Sequence, residues 1–512
     1  MDFGTRSGRR LRASVLALLL GCGLSGQVRA APFDDPHVGG LTFSGPTSGT
    51  LGAVYWNPAA LGLIRGNQLM IAGTVRAVRT TVHRAPINGA TGAPGGDTSP
   101  GDASASDVIQ PIQYPLGPGG FAGISTDLGG DRFTLAFATY EPYSETVHFP
   151  TSATGDEPTR YHRLSADFRN LALVPALSIR VSGDLHIGVA PGFLFSTGRL
   201  FFAERIPGAA MGGAAESPAS DARYDINSGQ GIGDAKFSVT LGGGLYYRRR
   251  NFEFGLAYSS RPFGGDIAGV QVAGTRTSVT APGGAPVVCR PPPVDPEAPG
   301  AAASQSTGCV FGSMAYRLPD TFIGGITWHL RHGLEITAIV RWMRFHAMER
   351  LDIRLTGTTL EAAGLPQHIV LHQGFQDAWD TRLRVSYWLK ERLHIGAVLR
   401  VETSAVDPSD VSPAAVDGLK FEPILLAEVN LGKHFSVGAG YGVTVMRDVN
   451  ASPSRFDPQA AAACMTTTGG KPAGDLANPG CIARNQGLAR PTAEGTYGRF
   501  VQDFGLSMTA RF

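Results

Sequence analysis

Arg382 and Arg384 lie two residues apart beside Asp380, while Arg341 and Arg400 stand on the neighbouring runs with Glu402 close behind. Guanidinium groups form short, charge-assisted hydrogen bonds to carboxylates. This spacing therefore has two uses, bracing against Asp380 and Glu402 or holding an anionic ligand head group such as a carboxylate. The remaining chemistry-bearing residues are sparse. No G-x-S-x-G, H-E-x-x-H or P-loop occurs, and the histidines do not fall at ligand spacing, so an enzyme, a bound metal and a cofactor are all unexpected. Cys289 with Cys309 and Cys464 with Cys481 each share one long polar stretch. Four cysteines allow three connectivities, of which local pairing is favoured, and neither pair has the C-x-x-C spacing of a metal site. Closing loops of about 15 to 20 residues constrains the unfolded chain by about 3 kcal/mol. A net charge of +2 and the lack of a basic block interleaved with aromatics exclude a dedicated nucleic-acid partner.

The elements that position the arginines follow from periodicity. Phe504, Leu506, Met508, Ala510 and Phe512 alternate with Asp503, Gly505, Ser507, Thr509 and Arg511, the signature of a strand with one apolar and one polar face. The same split recurs at Phe435 to Val445, Leu393 to Arg400 and Glu335 to Trp342, and it places all four arginines on the polar face. Arg6, Arg9, Arg10 and Arg12, then the apolar Ala13 to Leu20, then Val28-Arg29-Ala30, read as a secretory signal over residues 1–30, with Cys22 removed in it. No later run supplies the roughly 18 to 20 apolar residues of a spanning helix. An exported chain of this kind is either soluble or a closed barrel, because only helices and closed barrels satisfy every backbone group in lipid.

The connections favour the barrel. Tight turns at Gly129-Gly130-Asp131, Ser182-Gly183-Asp184, Arg249-Arg250-Asn251, Arg331-His332-Gly333, Lys390-Glu391-Arg392 and Gly432-Lys433-His434 alternate with long stretches near 85–117, 146–160, 203–227, 265–315, 355–370, 403–419 and 448–497. Short turns on one side and long loops on the other are the asymmetry of outer-membrane barrels. Strands are expected to begin near Gln68, Gly120, Arg132, Tyr161, Leu185, Gly229, Phe252, Ala315, Leu334, Ile369, Leu393, Leu419, Phe435 and Gly498. The expected fold is all-β, a 14-stranded antiparallel transmembrane β-barrel over residues 67–512. A secreted sandwich is the competing fold.

Leu51-Gly52-Ala53-Val54-Tyr55-Trp56-Asn57-Pro58-Ala59-Ala60-Leu61, the run RLPDTFIGGITWHL from Arg317, the Trp342 strand, VETSAVDPSD after Arg400 and the aromatic C-terminus resemble, in order, the FadL/TodX family of outer-membrane transporters for hydrophobic compounds. The resemblance implies an N-terminal plug in the lumen over 31–66, with Asn57, Pro58 and Ala59 in its turn. It also implies capture on the outer side and lateral release through a kinked third strand.

Pro142, late in the third strand, cannot donate to a ladder and is the candidate opening, with Pro175 and Pro191 as rivals. Gly438, Gly440 and Gly442 form a strip without side chains on which plug backbone can lie. Phe512 resembles the C-terminal signal read by the barrel-assembly machinery. The expected partners are hydrophobic small molecules such as fatty acids and aromatic hydrocarbons, outer-membrane lipid and that machinery, around a monomer in a Gram-negative outer membrane. A porin for small polar solutes and a surface adhesin are the alternatives.

Overall fold

The computed structural model describes residues 37–88, 94–96, 101–109, 120–151, 157–205, 221–228, 235–263, 270–273, 276–280, 287–288, 311–356, 368–390, 392–457, 467–468, 471–472, 488 and 490–512. The wall strands are β1 Asn67–Arg84, β2 Phe121–Thr126, β3 Phe133–Tyr140, β4 Ser165–Arg180, β5 Leu185–Arg205, β6 Lys236–Arg249 and β7 Phe252–Ser259. They continue as β8 Thr321–His329, β9 Leu334–Met343, β10 Ala378–Leu389, β11 Leu393–Glu402, β12 Lys420–Asn430, β13 Phe435–Met446 and β14 Gly495–Arg511. Each pairs antiparallel with the next, and β14 closes on β1 from Gln68↔Arg511 to Arg84↔Gly495. Among the described residues the result is a closed barrel of 14 strands. No described helix is long and apolar enough to cross a membrane.

Alternation sets which face each residue takes. On β14, Phe504, Leu506 and Met508 are about half exposed on the outside, whereas Asp503 and Ser507 are buried inside. The same holds for Leu383, Val385 and Leu399 against Arg384 and Arg400. An outward apolar band with inward polar residues fits a wall solvated by lipid. The expected turns all join adjacent strands, and Gly432 takes φ +94° in its turn, a region open to glycine at little cost.

Some boundaries differ from expectation. The tenth wall strand starts at Ala378, not near Ile369, because His368–His372 pairs with Arg350–Thr356 in a separate outer sheet that also holds Phe311–Tyr316 and Val270–Ala273. About 9 to 11 tilted residues cross a bilayer. The 21 residues of β5 therefore rise far above it, where they pair with Asp221–Asn227. Phe168, Leu200, Phe202, Tyr224, Tyr316 and Ile353 are buried there, in an apolar core continuous with that around the N-terminal segment.

Asp102–Ile109, expected as loop, pairs with the outer half of β1 at 76–83, while β2 pairs with its inner end at 67–72. Next to it, β3 ends at Tyr140, which pairs with both Phe121 and Ala172, and the chain rejoins β4 only at Glu145–His148. The ladder passes from Tyr140↔Ala172 to Glu145↔Phe168, so four residues of this strand, 141–144, oppose three of β4. That extra residue is a bulge.

Candidate functional site

Residues 37–64 lie almost entirely buried, and their contacts place them against the inward faces of the wall. Asn57 caps the short helix Pro58–Leu63 by accepting the Ala59 N–H at 3.1 Å, and its side-chain amide donates to the carbonyls of Pro46 at 2.7 Å and Leu245 of β6 at 2.9 Å. Pro58 suits the first helical position because its missing N–H would be unsatisfied there anyway. The Ala59 carbonyl accepts the Ser178 hydroxyl of β4 at 2.8 Å. These approaches need bare backbone. A Cβ at Gly188 would collide with Ala59, and Cβ atoms at Gly440 and Gly505 would collide with Leu41. At the exit of the segment, Asp127 accepts the N–H groups of Gly66 at 2.8 Å and Gly129 at 3.0 Å, and these bonds hold its carboxyl below the ordinary value.

Above this segment is a small apolar cavity of about 50 Å³. Val54, Tyr55, Tyr140, Val174, Leu194 and Ile323 form much of its lining. Its polar groups are hydroxyls, and no charged side chain of the described residues lines it. Pro142 and Tyr143, from the break in the third strand, also line it, so the break folds inward. The Tyr143 hydroxyl meets Thr321 of β8, across the lumen, at 2.9 Å. A second, smaller pocket of about 30 Å³ lies further out, where Phe168, Tyr316, Met348, Leu351 and Phe375 surround the paired Arg163 and Glu145.

The inward arginines occupy the opposite wall. Asp380, fully buried, receives Arg341 and Arg382 at 2.6 Å and Arg400 at 3.2 Å. Arg400 continues to Glu402 and, at 2.7 Å, to Glu422; Lys420 joins Glu402 at 3.2 Å. Glu422 and Asp503 flank His37 at 2.9 and 3.4 Å, and Arg76 closes the chain on Asp503 at 2.7 Å. Arg384 donates instead to the Ser44 carbonyl and the Thr337 hydroxyl, both at 3.1 Å. Arg382 lies over the Trp56 ring at 4.8 Å, and Arg341 donates to the Tyr55 hydroxyl at 3.3 Å. Every one of the four arginines thus meets a carboxylate or the N-terminal segment, several of them both.

The expected groups separate clearly. The structure brings Asn57, Pro58 and Ala59 to the lumen centre, Pro142 to the break and Arg341, Arg382, Arg384 and Arg400 to one belt. Pro175 and Pro191 face one another across β4 and β5, where pairing lapses between Leu173 and Leu177 without any change of register. Of the glycine strip, Gly440 meets Leu41, whereas Gly438 faces Ser507 and Gly442 faces Glu422. Phe512 exchanges backbone bonds with Asn67, both at 3.0 Å. Cys289, Cys309, Cys464, Cys481 and residues 1–36 lie outside the described residues. Sequence reasoning missed Tyr55, Tyr140 and Tyr143, whose spacing marks no period. It also missed Asn170, a polar residue at inward parity between the apolar Phe168 and Ala172, which was a usable signal.

No match is found among curated proteins. Solved structures share the fold at low identity. A Pseudomonas aeruginosa FadL homologue superposes with TM-score 0.65 at 13% identity, covering 95% of this chain and 99% of that one. The P. putida toluene transporter TodX gives 0.56 at 13% over 90% and 94%, and the Ralstonia pickettii toluene transporter TbuX gives 0.54 at 11% over 92% and 99%. The sequence profile of the outer membrane protein transport protein family, OMPP1/FadL/TodX, matches residues 39–418. The wall, the buried N-terminal segment and this match agree, and the chain belongs to the OMPP1/FadL/TodX family of outer-membrane transport proteins.

Proposed function

We propose that the protein passively admits small hydrophobic molecules and releases them sideways, through the break at 141–144, into the lipid of the outer membrane. The observation that carries this reading is the uncharged, apolar cavity that meets the break in the third strand at 141–144. The outer pocket is the first station, the cavity the second, and residues 31–66 act as a plug that shuts the lumen beneath. The close seating of Leu41, Asn57 and Ala59 on bare wall backbone supports that role. The toluene transporters among the structural neighbours point to neutral aromatic hydrocarbons as cargo. The luminal arginines brace wall and plug rather than bind an acid, since each already has partners, and a carboxylate in the cavity would meet no cation. Burying such a charge unpaired is costly. A polar-solute porin fits poorly with a lumen filled by residues 37–64.

The test is uptake into liposomes of toluene, an alkane and a long-chain fatty acid, beside a sugar. The expected order places neutral hydrocarbons first and the sugar at background. Deleting Pro142 restores one-to-one register between 140–145 and 168–172 and should reduce hydrocarbon uptake at least tenfold. Full uptake by that variant would sink the side exit.

A further inference from the structure

The break in the third strand lies against one fully buried amide, that of Asn170 on β4. Its Nδ2 donates to the Tyr143 carbonyl at 2.6 Å, while its Oδ1 accepts the Ser196 hydroxyl of β5 at 2.7 Å and the Tyr316 hydroxyl of the outer sheet at 3.2 Å. The backbone of Asn170 pairs with Ser196 on its β5 side, but no ladder pairs join 169–171 to 141–144 on the other. A side-chain donor therefore serves a carbonyl that stands away from the ladder. Because the side chain of Asn170 points inward, it receives that carbonyl only when the segment is folded into the lumen. The hydroxyl of Tyr143, bonded to Thr321, fixes the same segment from the far side.

Tyr316 gives the amide a second connection. Its ring sits edge-on to Phe168 at 5.3 Å, and both residues line the outer pocket, while Pro142 and Tyr143 line the inner cavity. Tyr316, Asn170 and Tyr143 thus form a short hydrogen-bonded partition between the two.

We infer that Asn170 is the positioning residue that keeps the wall break folded inward, and so keeps the side exit formed, with Tyr316 tying that amide to the outer pocket. This rests on the side-exit reading. Without the amide the Tyr143 carbonyl loses this donor, and the segment gains by returning to the wall, where pairing with 169–171 serves its backbone.

The experiment compares Asn170→Leu, close in shape but without polar atoms, with Asn170→Ser, too short to reach Tyr143, and with Ser196→Ala, which leaves the Tyr143 bond in place. Each is purified as the full barrel and checked for folding by heat-modifiable gel migration. Hydrogen exchange at 141–144 and toluene uptake into liposomes are then measured. Both Asn170 variants should slow exchange at 141–144 and cut uptake about tenfold, with Ser196→Ala close to the parent protein. Unchanged exchange and uptake would overturn the role of Asn170. Faster exchange with reduced uptake would also overturn it, because that is the mark of simple loosening. If deletion of Pro142 abolishes uptake and the Asn170 variants do not, only Asn170 is wrong; if deletion of Pro142 leaves uptake intact, the side exit itself falls.

Discussion

Three guanidinium groups converge on Asp380, and that convergence decides what the belt does. A buried carboxylate shared by Arg341, Arg382 and Arg400 is fixed by its neighbours, and removing it leaves cations without their counter-charge in a site from which water is excluded. Breaking a buried pair by deleting one partner costs about 3 to 5 kcal/mol. Asp380→Asn should therefore lower the temperature at which the barrel loses its heat-modifiable migration, and should raise ion conductance as the arginines release Trp56 and Tyr55. Unaltered melting would mean that the belt relaxes onto Glu402 and Glu422 at no cost. The arginines were readable in the sequence because parity alone assigns a face. Asp380 and Glu402 were readable beside them in the same way, whereas Glu422, Asp503 and His37 were not, since these join the network only through strand register and the path of the N-terminal segment.

At the level of elements, strands and turns announced themselves while interruptions did not. Periodic apolar residues located the wall strands, but DASASDVI over Asp102–Ile109 is small and polar, and a stretch without large outward side chains reads as loop. Pro142 marked the break in the third strand because proline removes a ladder donor whatever its surroundings. The outer loops carry a pH response of their own. His162, buried, bonds through Nε2 to the Pro491 carbonyl at 3.1 Å and packs on Phe456. Burial first, then the nearby Arg84 and Arg490, hold its pKa well below the ordinary value. Between that value and about 6.5 the unfolded loop binds the proton and the folded loop does not. The packing is therefore at full strength above about pH 6.5 and weakens as pH falls, by about 1.4 kcal/mol per unit. The protection of amides 157–164, taken relative to their intrinsic exchange rate at each pH, should fall between pH 7 and 5, and His162→Asn, which keeps a donor but cannot titrate, should flatten that dependence.

For the whole molecule, strand number and antiparallel closure were already readable from the order of short and long connections. The outer sheet was not, because its strands alternate as wall strands do, Leu351, Ile353 and Leu355 against Arg350, Asp352 and Arg354, and parity alone does not say which sheet a strand joins. Phe512 completes the ring by exchanging backbone bonds with Asn67, and its side chain stays exposed. Deleting it should reduce the amount of folded barrel in the membrane several-fold while leaving uptake per folded molecule unchanged; equal folded yield would show that the last residue is not read during assembly. The seating of residues 37–64 has a consequence for the order in which the molecule comes together. Leu41 rests on Gly440 of β13 and Gly505 of β14, whereas Ala59 rests on Gly188 of β5. These notches sit on strands made last and mid-way, and they face one another only once the ring has closed. The part of the chain that leaves the ribosome first must therefore find its place last.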